Sequence, residues 1–358
     1  MSVVLTFIVS LVCHDLCRVK QSDASVPGLP PPGQMLDVSK MYALPVLKGL
    51  RLDPDNPLHI DFIIDSGNEK NVSQEEVSTL IRYFLAALTV PQSALWVNLS
   101  PYESDRVIDE SLGIIDLGRD MLAQDYVLKQ LASSLTHPDT PTGREYWTGV
   151  GANGRSPLQD DSMAKIWIVP DKAEVYESGT TAVITEATLK LECENDAQSV
   201  LIPVITEDVN HGKNFARLRQ MYHAILLGLW FKHKFADSFY AAYLDKSKVT
   251  GIDLEDKAVK DKIYATYVKA FERGVYDVVR SAGAGSPRPQ KRRYFSGGVG
   301  MDKFRPGFRA DSAVVQGELD PRGFSGSAIV AGMDLVLINE PVLSSAVNFR
   351  DNDPITQA

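Results

Sequence analysis

The residues best suited to acid–base chemistry are four aspartates in the most distinctive segments of the chain. They are Asp65, Asp120, Asp125 and Asp171. A carboxylate acts as a general base, and as a general acid where its surroundings raise its pKa. Arg119 adjoins Asp120, and Lys129 follows Asp125 at the i,i+4 spacing of a helical ion pair, so both pairs are more simply read as surface salt bridges. The carboxylates therefore suggest either a hydrolase site built from scattered residues or a charged surface.

The sharpest catalytic motif is Ile63-Ile64-Asp65-Ser66-Gly67. Two apolar residues before Asp-Ser-Gly are typical of aspartic peptidases, in which two aspartates share a proton. The chain has no second Asp-Ser/Thr-Gly, and Asn68 stands where Ala or Ser is usual, so such an enzyme would require a dimer. The sequence favours the simpler interpretation, an Asx turn that ends a strand.

The remaining motifs do not build a site. Gly323–Ser327 resembles a serine-nucleophile loop, but no histidine stands in a suitable context for the base. His223 and His233 are ten residues apart, which is not a metal-pair spacing, and Asp53–Pro57 lacks the glycine and distal glutamate of a calcium loop. Three cysteines cannot form a disulfide framework in 358 residues. We therefore expect no metal and no cofactor.

Charge is unevenly distributed along the chain. The net charge of −9 argues against general affinity for nucleic acid or anionic membranes. The segment Arg288–Arg309, however, carries seven Lys or Arg residues and one Asp, Asp302. It could bind an anionic partner, or rest as a tail on the acidic body. The run Ser296–Gly300 lacks the Gly-Lys-Ser/Thr ending of a phosphate loop.

The N-terminus leaves two alternatives open. Val3–Cys13 is an apolar run of signal-peptide length, too short to span a membrane, and no Lys or Arg precedes Arg18. It is either an export signal, which would place the protein in the periplasm or at the cell surface, or an apolar first element of a cytoplasmic protein. Val26–Gly33 is expected to be a stiff extended linker. No segment of the sequence predicts a transmembrane span.

Hydrophobic periodicity predicts a soluble α+β protein in which strands and helices do not alternate regularly. The first half is mixed, with short strands and two helices, one opening at Ser73 and one capped by Asp116. Ser178-Gly179 is expected to turn a hairpin, and the second half is expected to be helical. The predicted organisation is a possible signal and Pro-rich linker (1–43), an α+β domain (44–195), a helical region packed on it (196–282) and an extended or mobile tail (283–358).

Large apolar residues on the predicted helix faces and strands should form the core. We expect five of them to be buried: Leu128, Trp167, Tyr222, Leu229 and Phe271.

Several blocks of the chain resemble a group of bacterial proteins from lineages related to the planctomycetes. The most distinctive are LGRDMLAQDYVLKQL, KIWIVPDKAEVYE and GKNFARLRQMYHAILLGLWFK. No activity is established for that group, so the resemblance implies no catalytic residues. From the residues and the resemblance together, we expect a non-enzymatic binding or structural module. It would be exported if the N-terminal apolar run is a signal. The alternative is a hydrolase whose site is assembled from the scattered carboxylates.

Overall fold

The computed structural model describes eleven stretches of the chain. They are residues 28–52, 60–100, 103–137, 139–152, 164–194, 198–235, 256–272, 295–302, 307–310, 327–331 and 334–337. Several predictions lie outside them: the export signal, the turn at Asp53–Pro57, most of the Gly323–Ser327 loop, and the basic residues from Arg288 to Arg293.

One mixed sheet contains all the strands of the described residues. Its ten strands are β1 (Val46–Leu52), β2 (Ile60–Asp65), β3 (Trp96–Val97), β4 (Ala164–Ser178), β5 (Thr181–Glu194), β6 (Phe295–Ser296), β7 (Val299–Gly300), β8 (Gly307–Ala310), β9 (Ser327–Ala331) and β10 (Asp334–Leu337). The order across the sheet is β10-β9-β2-β1-β5-β4-β7-β3, and β6 and β8 also pair with β4. β4 is parallel to β6, β7 and β8, and the other pairings are antiparallel.

The centre of the sheet is the hairpin of β4 and β5, which turns at Gly179 with a φ of 58°. Glycine adopts this left-handed conformation without steric cost, as the predicted turn requires. The two strands are 15 and 14 residues long, so the expectation of short strands is wrong here. Asp171 lies in a β-bulge of β4, because the register of the β4–β5 pairing shifts between Pro170 and Lys172. The strand continues on both sides of this bulge.

Seven α-helices belong to the described residues. They are α1 (Gln74–Thr89), α2 (Glu110–Gly113), α3 (Asp116–Leu135), α4 (Pro141–Ala152), α5 (Gln198–His211), α6 (Ala216–Phe235) and α7 (Asp256–Glu272). The Ser73 hydroxyl accepts from Glu76 N at 3.2 Å and caps α1 as predicted. The predicted cap of α3 is wrong, because Ile115 is its N-cap residue and Asp116 is already helical. The α+β class is confirmed.

Helix α3 runs through the centre of the protein and is buried on nearly every side. Sixteen of its 20 residues are buried, and it contacts α6 and α7 as well as β3, β6 and β7. Its apolar residues join one core cluster that extends from Leu47 in β1 to Met301. Because polar residues of α3 are enclosed with the apolar ones, a polar group among them is costly unless it has a partner inside the protein.

Part of the predicted tail is a component of the core. Phe295 is 7% exposed, Val299 0% and Met301 1%, and strands β6 to β10 all pair within the sheet. The assignment of residues 283–358 to an extended or mobile tail is therefore corrected for residues 295–302, which are buried or nearly so because they lie between α3 and β4.

The predicted Pro-rich linker also differs from expectation from Gly28 onward. The extended conformation expected for residues 26–33 is wrong for their described part: Gly28 and Gly33 have φ angles of 87° and 84°, and Gln34 N donates to Pro31 O at 3.1 Å in a turn. This segment and the residues that follow it lie against α3 and α5. Its carbonyl and amide groups are bound by side chains of both helices.

The five core predictions divide. Leu128, Tyr222 and Leu229 are buried, as expected. Trp167 is only partly buried, so the expectation for this residue is wrong. The side chain of Phe271 lies outside the described residues. No helix in the described part of the chain is long and apolar enough to cross a membrane.

Candidate functional site

Asp125 and Lys129 form an ion pair in the interior of the protein. Helix α3 places them one turn apart, and Lys129 Nζ donates to Asp125 Oδ1. Their side chains are 0% and 1% exposed, respectively. The interpretation as a surface salt bridge is therefore wrong, because α3 has no solvent-facing side at this height. We call these two residues the buried pair.

The buried pair also binds backbone groups from two other segments. Asp125 Oδ2 accepts from Leu99 N at 2.6 Å, just after β3. Lys129 Nζ donates to the carbonyl oxygen of Gly297 at 2.7 Å, between β6 and β7, and lies 6.0 Å from the ring centroid of Tyr267. Such charge-assisted hydrogen bonds fix two strand segments against the helix.

The segment that binds Lys129 fits only because it contains glycine. A Cβ atom on Gly298 would lie 1.8 Å from the carbonyl oxygen of Val97, well inside any real contact. The Ser296–Gly300 run is therefore a close-packed crossing between β3 and β4. Close packing therefore explains why this run contains glycines, without a phosphate ligand.

Burial sets the protonation chemistry of the buried pair. Desolvation raises the pKa of Asp125 above its usual value, and Lys129 and the Leu99 amide oppose that shift. Desolvation likewise lowers the pKa of Lys129, against the influence of Asp125. Each residue compensates the charge of the other, and neither has appreciable surface through which to reach a substrate.

Asp120 is five residues before Asp125 on the same helix and lies in a different environment. The hydroxyl of Tyr83, from α1, donates to Asp120 Oδ2, and Arg119 Nε donates to Oδ1 at 2.8 Å. The Asp120 side chain is 18% exposed. Tyr83 is fully buried, and burial first, with Asp120 second, raises its pKa well above 10, so the phenol is protonated at neutral pH.

More charges surround this tyrosine and aspartate. Arg217, from α6, is electrostatically coupled to both and forms an ion pair with Glu76 at 2.9 Å. Gln220 donates to Glu76 as well, at 2.5 Å, and a second ion pair joins Arg82 to Asp116 at 2.7 Å. We call the set Glu76, Tyr83, Arg119, Asp120 and Arg217 the helix cluster.

The other two candidate carboxylates occupy separate places. Asp65 Oδ1 accepts from Gly67 N at 3.0 Å, and Gly67 has a φ of 58°, which is the predicted Asx turn at the end of β2. Asp171 is exposed in the bulge of β4. Asp120 and Asp125 share α3, but five residues turn their side chains about 140° apart. The four aspartates thus sit in four different local structures.

Two other groups are altered by burial. Desolvation raises the pKa of the Cys193 thiol to about 12, so the thiol stays protonated and is a poor nucleophile. Burial lowers the pKa of His223 to about 4, and its Nδ1 lies 3.2 Å from the carbonyl oxygen of Leu47. Within the described residues, no group of three or more His, Cys, Asp or Glu side chains is placed to hold a metal ion.

Comparison of the chain with protein-family models, curated proteins and solved structures found no match. The resemblance to the planctomycete-related group therefore remains a prediction.

Sequence reasoning missed the partners that distinguish these sites. Tyr83 of α1 was not among the residues expected in the core, and it is buried. The signal for Tyr83 was its place three residues after Leu80, on the same side of the helix. No local pattern connects Arg217 with Asp120, because they are almost 100 residues apart in the chain.

Proposed function

We propose that this protein is a non-enzymatic binding or structural module. The observation that carries the proposal is the dispersal of the four candidate carboxylates over an Asx turn, a strand bulge, a buried ion pair and a charged helix cluster. An active site needs its acid and base within reach of the same substrate atoms. Asp65, Asp120 and Asp125 instead bind a backbone amide, an arginine or a lysine, which are fold-stabilising contacts.

Asp120 provides the test. Of the two candidate aspartates of α3 it is the one that solvent reaches, and it lies beside Tyr83 and Arg119, so it is the best placed of the four for acid–base chemistry. We expect the purified chain to hydrolyse ester, phosphoester, glycoside and peptide substrates no faster than Asp120→Asn does. Asp171→Asn is the matched control, since it removes an exposed carboxylate away from the helix cluster.

Two outcomes would decide against the module. Turnover that Asp120→Asn abolishes and Asp171→Asn leaves intact would support the hydrolase alternative. Turnover that survives both changes would place catalysis elsewhere in the chain. Circular dichroism of each variant separates lost chemistry from lost folding.

An anionic partner for Arg288–Arg309 is part of the same proposal. Because residues 295–302 lie in the sheet, the basic residues on either side of them are attached to a fixed element. We expect binding to a single-stranded oligonucleotide that weakens steeply with salt. Replacement of Arg292 and Arg293 by Ser should reduce it, and salt-independent binding would contradict the proposal.

Export would be tested separately, at the N-terminus of the native protein. If residues 1–25 are a signal, mass spectrometry should find a mature chain that begins between about Ser22 and Val26. An intact N-terminus would exclude processing.

A further inference from the structure

Residues Gly28–Tyr42, which we call the strap, cross the body in two parts. The proline run ends in a turn at Pro32-Gly33, where Gly33 has a φ of 84° and Gln34 N donates to Pro31 O at 3.1 Å. From Gln34 onward the strap has no helix or turn and shows a three-residue repeat. Every third side chain points inward, namely Leu36, Ser39 and Tyr42. The side chains one position earlier point outward and are exposed by 42%, 42% and 75%: Met35, Val38 and Met41. A period of three is that of a polyproline-type helix, so one face of the strap meets the body and another faces away from it.

The body supplies hydrogen-bond donors where the strap can only accept. Pro30 and Pro31 have carbonyl oxygens but no N–H. Tyr126 Oη donates to Pro30 O at 3.0 Å, and Gln130 Nε2 donates to Pro31 O at 3.1 Å and to Gln34 O at 2.7 Å. An aromatic hydroxyl and an amide on one helix face are suited to a proline-rich peptide, whose extended form is already favoured before binding.

The body changes to acceptors where the strap regains its amides. Leu36 N donates to Ser134 Oγ at 2.8 Å, and Ser39 N donates to Asp208 Oδ1 at 3.3 Å. Ser134 and Asp208 are each 1% exposed. Buried polar groups of this kind are costly unless they are bonded, so their presence opposite the strap indicates a surface shaped for a peptide backbone.

Ser39 occupies a specific seat. Its hydroxyl donates to Asp208 and accepts from Asn214 N at 2.9 Å. A Cβ atom on Gly212 would lie 1.5 Å from Asp208 Oδ1 and 2.5 Å from Ser39 Oγ, so only glycine leaves the seat open. Leu36 packs partly buried against the core three residues earlier. The seat and the core contact together define two side-chain positions.

We propose that the surface under the strap is a binding groove for proline-rich peptides of the pattern Leu-Pro-Pro-Pro-Gly-x-x-Leu-x-x-Ser, which turn at the Pro-Gly step as the strap does, and that the strap is its built-in occupant. The pattern is that of residues 29–39. A partner segment of this kind would exchange with the strap. This inference rests on the proposed binding role and gives it a ligand class.

The geometry also explains why the groove is filled in the isolated chain. A tethered occupant acts at an effective concentration in the millimolar range, so a free peptide competes poorly until the strap is weakened. The side chains of Met35 and Val38 are each 42% exposed. They therefore supply matched control positions on the same segment.

The test compares two full-length variants. Leu36→Ser with Ser39→Ala weakens the inward contacts, and Met35→Ser with Val38→Ala changes the outward face. A fluorescein-labelled peptide of residues 28–42 is titrated against each by fluorescence anisotropy. We expect the inward variant to bind it at least about tenfold more tightly than the outward variant. A labelled peptide that carries the two inward changes should not bind.

Three results would overturn the proposal. One is a folded inward variant that does not bind the peptide, and another is equal binding of both peptides. The third comes from hydrogen exchange in the wild-type chain, which remains decisive if the inward variant does not fold. The Leu36 and Ser39 amides should exchange at least about tenfold faster than that of Leu128, because the strap opens locally. Equal rates would make the strap an integral part of the fold.

The groove and the proposed function can fail independently. Absence of peptide binding would remove the groove while the carboxylates remain non-catalytic. Turnover that is lost in Asp120→Asn would contradict the non-enzymatic proposal, and peptide exchange could still be measured.

Discussion

The buried pair and the helix cluster each contain an aspartate of α3 bound to a basic side chain of the same helix, yet they differ in burial and in the number of their partners. Asp125 and Lys129 are 0% and 1% exposed, whereas Asp120 and Arg119 are 18% and 28% exposed. In the buried pair, each side chain balances the charge of the other, and each also binds one backbone group. The helix cluster spreads its charge over several side chains and solvent. Sequence spacing shows which charged side chains are close on a helix, but burial determines how much their interaction contributes to the free energy of unfolding.

The difference follows from desolvation. Removal of a charge from water costs several kcal/mol, which a single partner offsets only when it stays in place. Near the surface, water replaces a lost partner at little cost. Loss of one member should therefore damage the protein far more at the buried pair than in the helix cluster.

The largest effect is expected for Lys129→Met. The change keeps much of the side-chain volume but leaves Asp125 charged without its cation and Gly297 without its donor. We expect it to lower the free energy of unfolding by about 3–5 kcal/mol, measured by urea denaturation. Lys190→Met, which breaks an exposed pair with Glu192, is the control and should cost less than about 1 kcal/mol. Equal losses of the free energy of unfolding in the two variants would contradict the claim that a buried ion pair matters more than an exposed one.

A smaller effect is expected from His223, a largely buried ionisable group whose described contact is a carbonyl oxygen and not a countercharge. Its pKa is about 4 in the folded protein against 6.5 ordinarily, because burial disfavours the cation. Its contribution is complete above pH 6.5 and declines as the pH falls toward 4, since the unfolded chain takes up the proton first. The loss should reach up to about 3 kcal/mol.

The pH dependence is measured by urea denaturation of the wild type and of His223→Gln between pH 7 and pH 4. The carboxylates titrate in both chains, so the difference between the two curves reports His223. We expect the wild type to lose more stability across this range. Parallel curves would mean that His223 is protonated in the folded protein as readily as in the unfolded chain.

Tyr83→Phe should have a moderate effect. The change removes the hydroxyl that binds Asp120 and keeps the ring in the core, while Arg119 still binds the carboxylate. We expect a loss of about 0.5–1.5 kcal/mol in the free energy of unfolding, the usual range for one hydrogen bond. A loss as large as that of Lys129→Met would show that the helix cluster behaves as a buried site.

The smallest effect is expected for Arg82→Ala. Arg82 is 42% exposed, and Asp116 keeps a second partner in Arg119 at 3.2 Å. The loss should be about 0–1 kcal/mol and should shrink further in high salt, as for exposed ion pairs. Chemical denaturation with and without added salt measures both quantities. A salt-independent loss would indicate packing by the arginine side chain.

The sequence predicts the local elements of this fold well, because their signals are local. Ser73 caps α1, Gly179 turns the central hairpin, and Asp65 closes an Asx turn, all through contacts within a few residues. Apolar spacing likewise predicts burial of Leu128 and Tyr222. The α+β class follows from the irregular order of these elements.

The contacts that decide the site are distant in sequence and could not be predicted in this way. Lys129 reaches Gly297 across 168 positions, and Leu36 reaches Ser134 across 98. Glycine, proline and arginine gave residues 26–33 and 283–310 the composition of a linker and a tail. Hydrogen bonds from α3 to residues 30 and 31, and burial of residues 295–301, offset the ordering cost that composition alone suggests.

The most direct test of the account is a pair of double-mutant cycles on α3, Asp125→Asn with Lys129→Met and Asp120→Asn with Arg119→Met. Each cycle gives the coupling free energy between two side chains from four urea-denaturation curves. We predict a coupling of about 2–3 kcal/mol for Asp125 and Lys129 and less than about 1 kcal/mol for Asp120 and Arg119. Couplings of similar size at the two places would contradict the claim that burial, and not residue type, separates them.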